Sequence, residues 1–245
     1  MKPTQKSHRH GAVKRLKHRA FATDFDGTLA HDGVVPAEAL RGLERLREAG
    51  IKVLMVTGRE LQDLSRVFSR MDLFDLIVAE NGGLIYSPGD QISQRIAAPP
   101  CQALVDKLIS KGVSPISVGQ VVIATWEPHH HSVLESIKEL GLELQVIFNK
   151  GAVMVLPSGV NKASGLEVAL KSWGLTPGDA VSIGDAENDC AMFEASGFSV
   201  AVANALPAVK ERASHVTEKR QGEGVAEAID LLLDGKFESA GKPEV

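Results

Sequence analysis

The sequence predicts an α/β fold: a Rossmann-like core on a mainly parallel sheet, with a small α+β cap inserted into it. Three observations carry that expectation. Short apolar runs alternate with amphipathic stretches at both ends of the chain, the pattern of strand–helix–strand crossovers. Those runs are rich in Val, Ile and Leu, as strands buried on both faces require. Between residues 85 and 156 the rhythm changes to pairs of strand-like runs around turns, which suits an antiparallel sheet.

Taken in order, Phe21–Phe25 is a short strand that ends on two aspartates. A helix follows, with Pro36 at its first position, Ala39, Leu40, Leu43 and Leu46 as its apolar stripe, and Gly50 as its stop. Ile51–Val56 is a buried strand broken only by Lys52. Glu60–Arg70 is helical, with Leu61, Leu64, Val67 and Phe68 on one side, and Leu76–Ala79 is a third strand. Asn81-Gly82-Gly83 turns the chain into a hairpin of Leu84–Tyr86 and Gln91–Ile96. A helix from Gln102 to Ile109, strands Ser114–Val118 and Val121–Trp126, and a helix Ser132–Leu140 come next. Leu142–Phe148 and Ala152–Leu156 close the insert around the turn Asn149-Lys150-Gly151. The α/β rhythm resumes with the helix Lys162–Trp173 and the strand Ala180–Ile183. A helix ending near Gly197, the strand Phe198–Val202, a helix from Pro207 and a last helix Val225–Leu233 complete it. The chain thus divides into a basic arm (1–19), a core (20–84 and 157–235), a cap (85–156) and a polar tail (236–245).

Bulk properties bound the function classes. Hydrophobic and charged fractions of 44% and 24% are ordinary for a soluble globular protein. No apolar run approaches the length of a spanning helix, so no membrane partner is expected. Cys101 and Cys190 form neither a disulfide framework nor a CxxC pair, which fits a reducing, cytoplasmic setting. Residues 1–19 hold seven Lys or Arg and no acid, leaving 20 basic against 31 acidic side chains in the remainder. That arm reads as a solvated tail. It lacks the apolar stretch of a secretory signal and the aromatics that stack on bases, which argues against nucleic acid as a partner. Oligomeric state, monomer or dimer, is left open.

Four segments carry chemistry: Asp24-Phe25-Asp26-Gly27-Thr28, Val56-Thr57-Gly58-Arg59, Asn161-Lys162, and Gly184-Asp185-Ala186-Glu187-Asn188-Asp189. Three of them follow an apolar strand directly. In an open parallel sheet, ligands sit at the carboxyl ends of strands, so the three ends meet if the first strand is central. Carboxylates, a hydroxyl, a cation and glycine turns suit phosphoryl transfer with a hard divalent metal. Taken singly, each has a bland alternative: a plain Asp-x-Asp-Gly turn, an ordinary strand exit, a solvated first-turn lysine, a helix-capping loop.

Together the segments resemble the four motifs of the haloacid dehalogenase-like phosphatase superfamily. Asp24–Thr28 resembles the first motif, Thr57 the second, Lys162 the third, and Gly184-Asp185 with Asn188-Asp189 the fourth. An insert between the second and third motifs resembles the type-2 cap of the Cof-like branch. Its shortness is similar to the caps of phosphoglycolate and sucrose-phosphate phosphatases. The resemblance implies hydrolysis of a small phosphorylated substrate, a sugar phosphate or phosphoglycolate, through an aspartyl-phosphate, with Mg2+ as cofactor. It implies Asp24 as nucleophile and metal ligand, and Asp26 as acid/base with its carbonyl on the metal. Asp185 and Asp189 complete the metal site. Thr57, Gly58 and Lys162 would hold the phosphoryl group, and Asn188 would help to orient this shell and bind substrate. Arg59 either reaches the substrate or merely starts a surface helix. Trp126 and Phe148 are read as filling the cap's own core, with substrate contact as the alternative. A phosphomutase of the same superfamily is the alternative enzyme, and a non-catalytic phospholigand or polyanion binder the alternative class.

Overall fold

A computed structural model of the chain describes residues 17–237. Its elements are β1 (Ala20–Thr23), α1 (Ala37–Glu48), β2 (Lys52–Val56), α2 (Leu61–Val67), β3 (Leu76–Ala79), β4 (Leu84–Ser87), β5 (Ile92–Arg95) and α3 (Gln102–Ser110). There follow β6 (Ser117–Val118), β7 (Ile123–Trp126), α4 (His130–Glu139), β8 (Leu144–Asn149) and β9 (Ala152–Pro157). The chain ends with α5 (Lys162–Lys171), β10 (Ala180–Gly184), α6 (Cys190–Ala195), β11 (Phe198–Ala201), α7 (Pro207–Lys210), β12 (His215–Val216) and α8 (Gln221–Leu233).

The main sheet has the order β12-β11-β10-β1-β2-β3-β4-β5. The six strands from β12 to β3 run parallel. This is the expected α/β architecture, with β1 between β10 and β2. Its strands are buried on both faces: Phe21, Val53, Leu54, Met55, Ile77, Val181 and Ile183 have no exposed surface. Each such side chain contributes roughly 1.5–3 kcal/mol by leaving water. In α1, Ala39, Leu43 and Leu46 are buried as the stripe requires, and Leu40 packs at the edge of the core.

The sequence pattern assigns the hairpin, from residue 85 onward, to the inserted unit. Instead β4 pairs antiparallel with β3, Ala79 opposite Leu84 and Ile77 opposite Tyr86, and β5 pairs with β4. The hairpin therefore extends the main sheet, because the three-residue turn at Glu80–Gly82 folds the chain straight back on β3. The second sheet is β6-β7-β9-β8, all antiparallel. One of its faces packs on α3 and α4 through Ile123, Val153 and Val155 against Leu104, Leu108 and Val133. Helix α2 also stops earlier than its pattern implies. Phe68 turns extended (φ −137°, ψ 111°) and buries its ring against Phe25 and Phe74, and that aromatic contact outweighs another helical turn.

Residues 1–16 of the expected arm and 238–245 of the expected tail lie outside the described residues. The inner ends of both segments are packed. His18 is 1% exposed and its Nε2 meets the Phe237 carbonyl at 3.2 Å, while Phe237 stacks on Phe198. Arg19 already donates its backbone N–H to Asp179.

Candidate active site

Strand order decides where the chemistry gathers. β1 lies between β2 and β10, so Asp24 and Asp26, Thr57, and Asp185 leave three adjacent strand ends. Asp24 is fixed there by its backbone N–H to the Ile183 carbonyl at 3.0 Å. Lys162 is the first residue of α5. The cap of that helix is reciprocal: Asn161 Oδ1 accepts from the N–H groups of Ala163 and Ser164, and Ser164 Oγ accepts from Asn161 N–H. The ammonium of Lys162 then donates to Asp24 Oδ1 at 2.6 Å and Asp189 Oδ1 at 2.7 Å, with lysine and both acids buried.

Asp189 is held on both oxygens. Its Oδ2 accepts the backbone N–H of Asp185 at 2.9 Å and of Ala186 at 3.0 Å. Glycine is required beneath it, because a Cβ on Gly184 would lie 2.4 Å from the Asp189 carboxyl carbon. Asp185 faces the site instead. Its Oδ1 accepts from Thr28 Oγ1 at 3.0 Å and its Oδ2 from Lys150 Nζ at 2.7 Å.

Charge in this cluster is unbalanced. Oxygens of Asp24, Asp185 and Asp189 lie within 4.8 Å of one another, and all three residues are buried. Burial pushes the Asp24 carboxyl up to about 7, because Lys162 only partly offsets that cost and Asp189 and Asp185 add to it. Burial likewise raises Asp185, against the opposing hydrogen bond from Lys150. Burial alone would lower Lys162, but Asp189 and Asp24 outweigh it and hold the lysine protonated. One buried cation shared between two carboxylates, with a third beside them, leaves excess negative charge on oxygen donors. That donor set fits a hard divalent cation. The Asp26 carbonyl belongs to the same set, since it and Asp185 Oδ2 both accept from one cation, the Lys150 ammonium.

Of the other expected site residues, Thr57 is fully buried, and its Oγ1 accepts the Arg59 N–H at 3.1 Å. Gly58 lies close to Asn188 and Met154. Arg59 is no bystander. It grips Asp26 with two hydrogen bonds, Nε to Oδ2 at 2.7 Å and Nη2 to Oδ1 at 2.8 Å, and also binds Asp63. The Asp26 hydrogen bonds, with Asp63 adding to them, raise Arg59 further above its already basic range. Asn188 donates to Asn81 Oδ1 at 3.1 Å, so the two residues brace each other. Trp126 departs from the expected cap core. It is 52% exposed and lines a cavity of about 630 Å3 together with Asp24, Asp26, Arg59, Lys150 and Met154. Phe148 is also half exposed, beside His130 at 6.1 Å.

Three residues escaped the motif reading: Lys150, Glu80 and Asn81. Glu80, at φ 52° after β3, is buried and accepts backbone N–H groups of Gln120, Val121 and Val122 at 3.0, 2.6 and 3.0 Å. It ties the second sheet to the end of β3. Among the described residues, no helix is long and apolar enough to cross a membrane.

Comparison with known proteins agrees with this geometry. A family model described as haloacid dehalogenase-like hydrolase matches residues 21–121 and 116–229. A phosphoglycolate phosphatase of Methanothermobacter thermautotrophicus is 34% identical over 224 residues, 88% of this chain and 99% of that protein. A 5-amino-6-(5-phospho-D-ribitylamino)uracil phosphatase of Bacillus subtilis is 26% identical, over 89% of this chain and 99% of that one. Among solved structures, a haloacid dehalogenase-like hydrolase from Bacteroides thetaiotaomicron superposes with a TM-score of 0.74 at 22% identity, covering 87% of this chain and 99% of that one. A sugar phosphatase of subclass IIB gives 0.72 at 20% identity, over 86% and 98% of the two chains. Motifs, strand ends and relatives converge on one assignment: the chain belongs to the haloacid dehalogenase-like hydrolases, a family of enzymes.

Proposed function

We propose that the protein is a phosphomonoester hydrolase that takes a small phosphorylated metabolite through an aspartyl-phosphate on Asp24. The observation that carries this reading is the buried Lys162 bridge between Asp24 and Asp189, with Asp185 beside it. A carboxylate attacking a phosphate dianion faces like-charge repulsion, and a fixed ammonium on the attacking group offsets part of it. Asp24, Asp185 and the Asp26 carbonyl would hold Mg2+, which when bound supplies positive charge against the phosphoryl oxygens.

Asp24 Oδ attacks phosphorus as the ester P–O bond breaks, and the leaving oxygen takes a proton from the Asp26 carboxyl. Asp26 then removes a proton from water, whose oxygen attacks phosphorus and returns Asp24 as the carboxylate. Arg59 occupies both Asp26 oxygens, so proton transfer through Asp26 requires that pair to open. Thr57 donates to a phosphoryl oxygen, while Asp189 holds Lys162 in line. Residues of the second sheet, with α3 and α4, form the cap, and its open face closes the cavity with Val122, Ala124, Trp126, Ala152 and Met154. Relatives named for phosphoglycolate, and a neighbour named as a sugar phosphatase, make these two substrate classes the first to test.

Phosphate release across a panel of metabolite monoesters, with Asp24→Asn as control, tests the proposal. Magnesium-dependent turnover lost in the folded variant is the expected result. Turnover retained by Asp24→Asn would refute the nucleophile.

A further inference from the structure

We infer that Lys150 is a latch between the cap and the cation site, and that its ammonium competes with the divalent metal for Asp185 and the Asp26 carbonyl. Metal loading then frees the tip of the β8–β9 hairpin. The inference rests on the reading of these oxygens as the cation site.

Lys150 occupies the tip of that hairpin, at φ 48° between Asn149 and Gly151. Its side chain leaves the cap and enters the core site, with Nζ 2.7 Å from Asp185 Oδ2 and 3.2 Å from Asp26 O. Space for it depends on Gly27 (φ +83°), where a Cβ would lie 2.5 Å from the ammonium. The partners differ in freedom. Asp185 is 3% exposed on a buried strand end, whereas the lysine side chain is 43% exposed on a turn. When one partner of this pair moves, it is the lysine.

The two cations exclude each other on simple grounds. Asp185 Oδ1 is taken by the Thr28 hydroxyl, so Oδ2 is the oxygen it offers to a cation. Magnesium binds oxygen at about 2.0–2.1 Å, closer than an ammonium can approach. Both on one buried oxygen would repel strongly, since little water screens them. Lys150 lines one cavity with Trp126 and Arg59.

The test is calorimetric titration of the full chain with MgCl2 in four forms: wild type, Lys150→Ala, Lys150→Gln and Asp185→Asn. A latch engaged in most molecules lowers apparent affinity by its own occupancy, so both lysine variants should bind Mg2+ roughly fivefold more tightly. Hydrogen exchange in the β8–β9 hairpin provides a second readout. Mg2+ should speed exchange at Asn149–Gly151 in wild type and leave the Lys150 variants unaffected. Unchanged or weaker Mg2+ binding in both lysine variants overturns the latch. So does tighter binding with no metal response of the hairpin in wild type, which marks loss of a nearby charge without a latch. If Asp185→Asn binds Mg2+ like wild type, the cation site itself is misassigned. If Asp185→Asn abolishes binding while the lysine variants match wild type, the latch alone fails.

Discussion

Replacing Asp24 by asparagine should stop turnover and, at the same time, make the protein more stable. Asp24 is 5% exposed, and burial moves its pKa from 3.8 to about 7, with Asp189 and Asp185 adding to a push that Lys162 only partly opposes. An unfolded chain releases this proton near 3.8, while the folded chain keeps it until about 7. Between those values the native state binds more protons, so wild-type stability falls as pH rises through the window. At about 1.4 kcal/mol per pH unit, the interval caps the cost at roughly 4 kcal/mol above pH 7. About 2 kcal/mol of that cost has accumulated by pH 5, by the same linkage. Asparagine has nearly the same shape and no charge at any pH, and Lys162 keeps Asp189 as its partner. The stability gain should therefore open from about 2 kcal/mol at pH 5 to about 4 kcal/mol at pH 8, equivalent to a Tm rise of roughly 8–16 °C at pH 8. Thermal or urea unfolding at pH 5, 6, 7 and 8 measures it, with chelator present so that metal binding adds nothing to wild type. A gap that stays constant with pH, or a less stable variant at pH 8, would show that the cluster accommodates the Asp24 charge at little cost.

Three further outcomes follow from the same site. Asp26→Asn should slow hydrolysis by about 10² to 10⁴, and most activity surviving toward an alkyl phosphate removes Asp26 from the acid/base role. Chelation should abolish phosphate release, and Mg2+ or Mn2+ should restore it; full activity after exhaustive chelation contradicts the oxygen-only donor set. Glu80→Gln replaces one of two accepting oxygens with a donor that faces backbone N–H groups, and should cost about 2–3 kcal/mol in urea unfolding. Unfolding of this variant at the wild-type midpoint would mean that Glu80 does not bind the second sheet to β3.

The four segments that meet at the proposed site were legible because each is contiguous and three of them sit directly after an apolar strand. Strand periodicity also located the core, since parallel strands buried on both faces leave an unbroken apolar signature. What escaped the sequence are contacts across the fold. Lys150 lies 35 positions before Asp185 inside Asn149-Lys150-Gly151, which is indistinguishable from any tight turn. Glu80 follows a strand and precedes two glycines, so it reads as punctuation until its three backbone donors are seen. The hairpin of β4 and β5 carries no local signal of which sheet it joins, because pairing is a long-range choice. Trp126 could have been found. Alternation along β7 puts Ala124 and Trp126 opposite Ile123, and once Ile123 is assigned to the core between the second sheet and α3 and α4, Trp126 must face outward.

The two aspartates of the fourth motif, four residues apart, do different work, and their partners say which is which. Asp189 has every strong acceptor position filled: Lys162 on one oxygen, two backbone N–H groups on the other, and no exposure to solvent. Recruiting it to a metal would break charge-assisted bonds inside a buried site, each worth about 1.5–3 kcal/mol. Asp185 carries one hydroxyl partner and one half-exposed ammonium on a turn. That ammonium is the one partner in the cluster that water can replace, so Asp185 is the carboxylate able to change cations. Asp24, Asp189 and Lys162 thus form the fixed half of the charge set, and Asp185 and Lys150 the exchangeable half. Gly184 keeps the halves apart, since any side chain there would drive into Asp189 and release the lysine that aims Asp24.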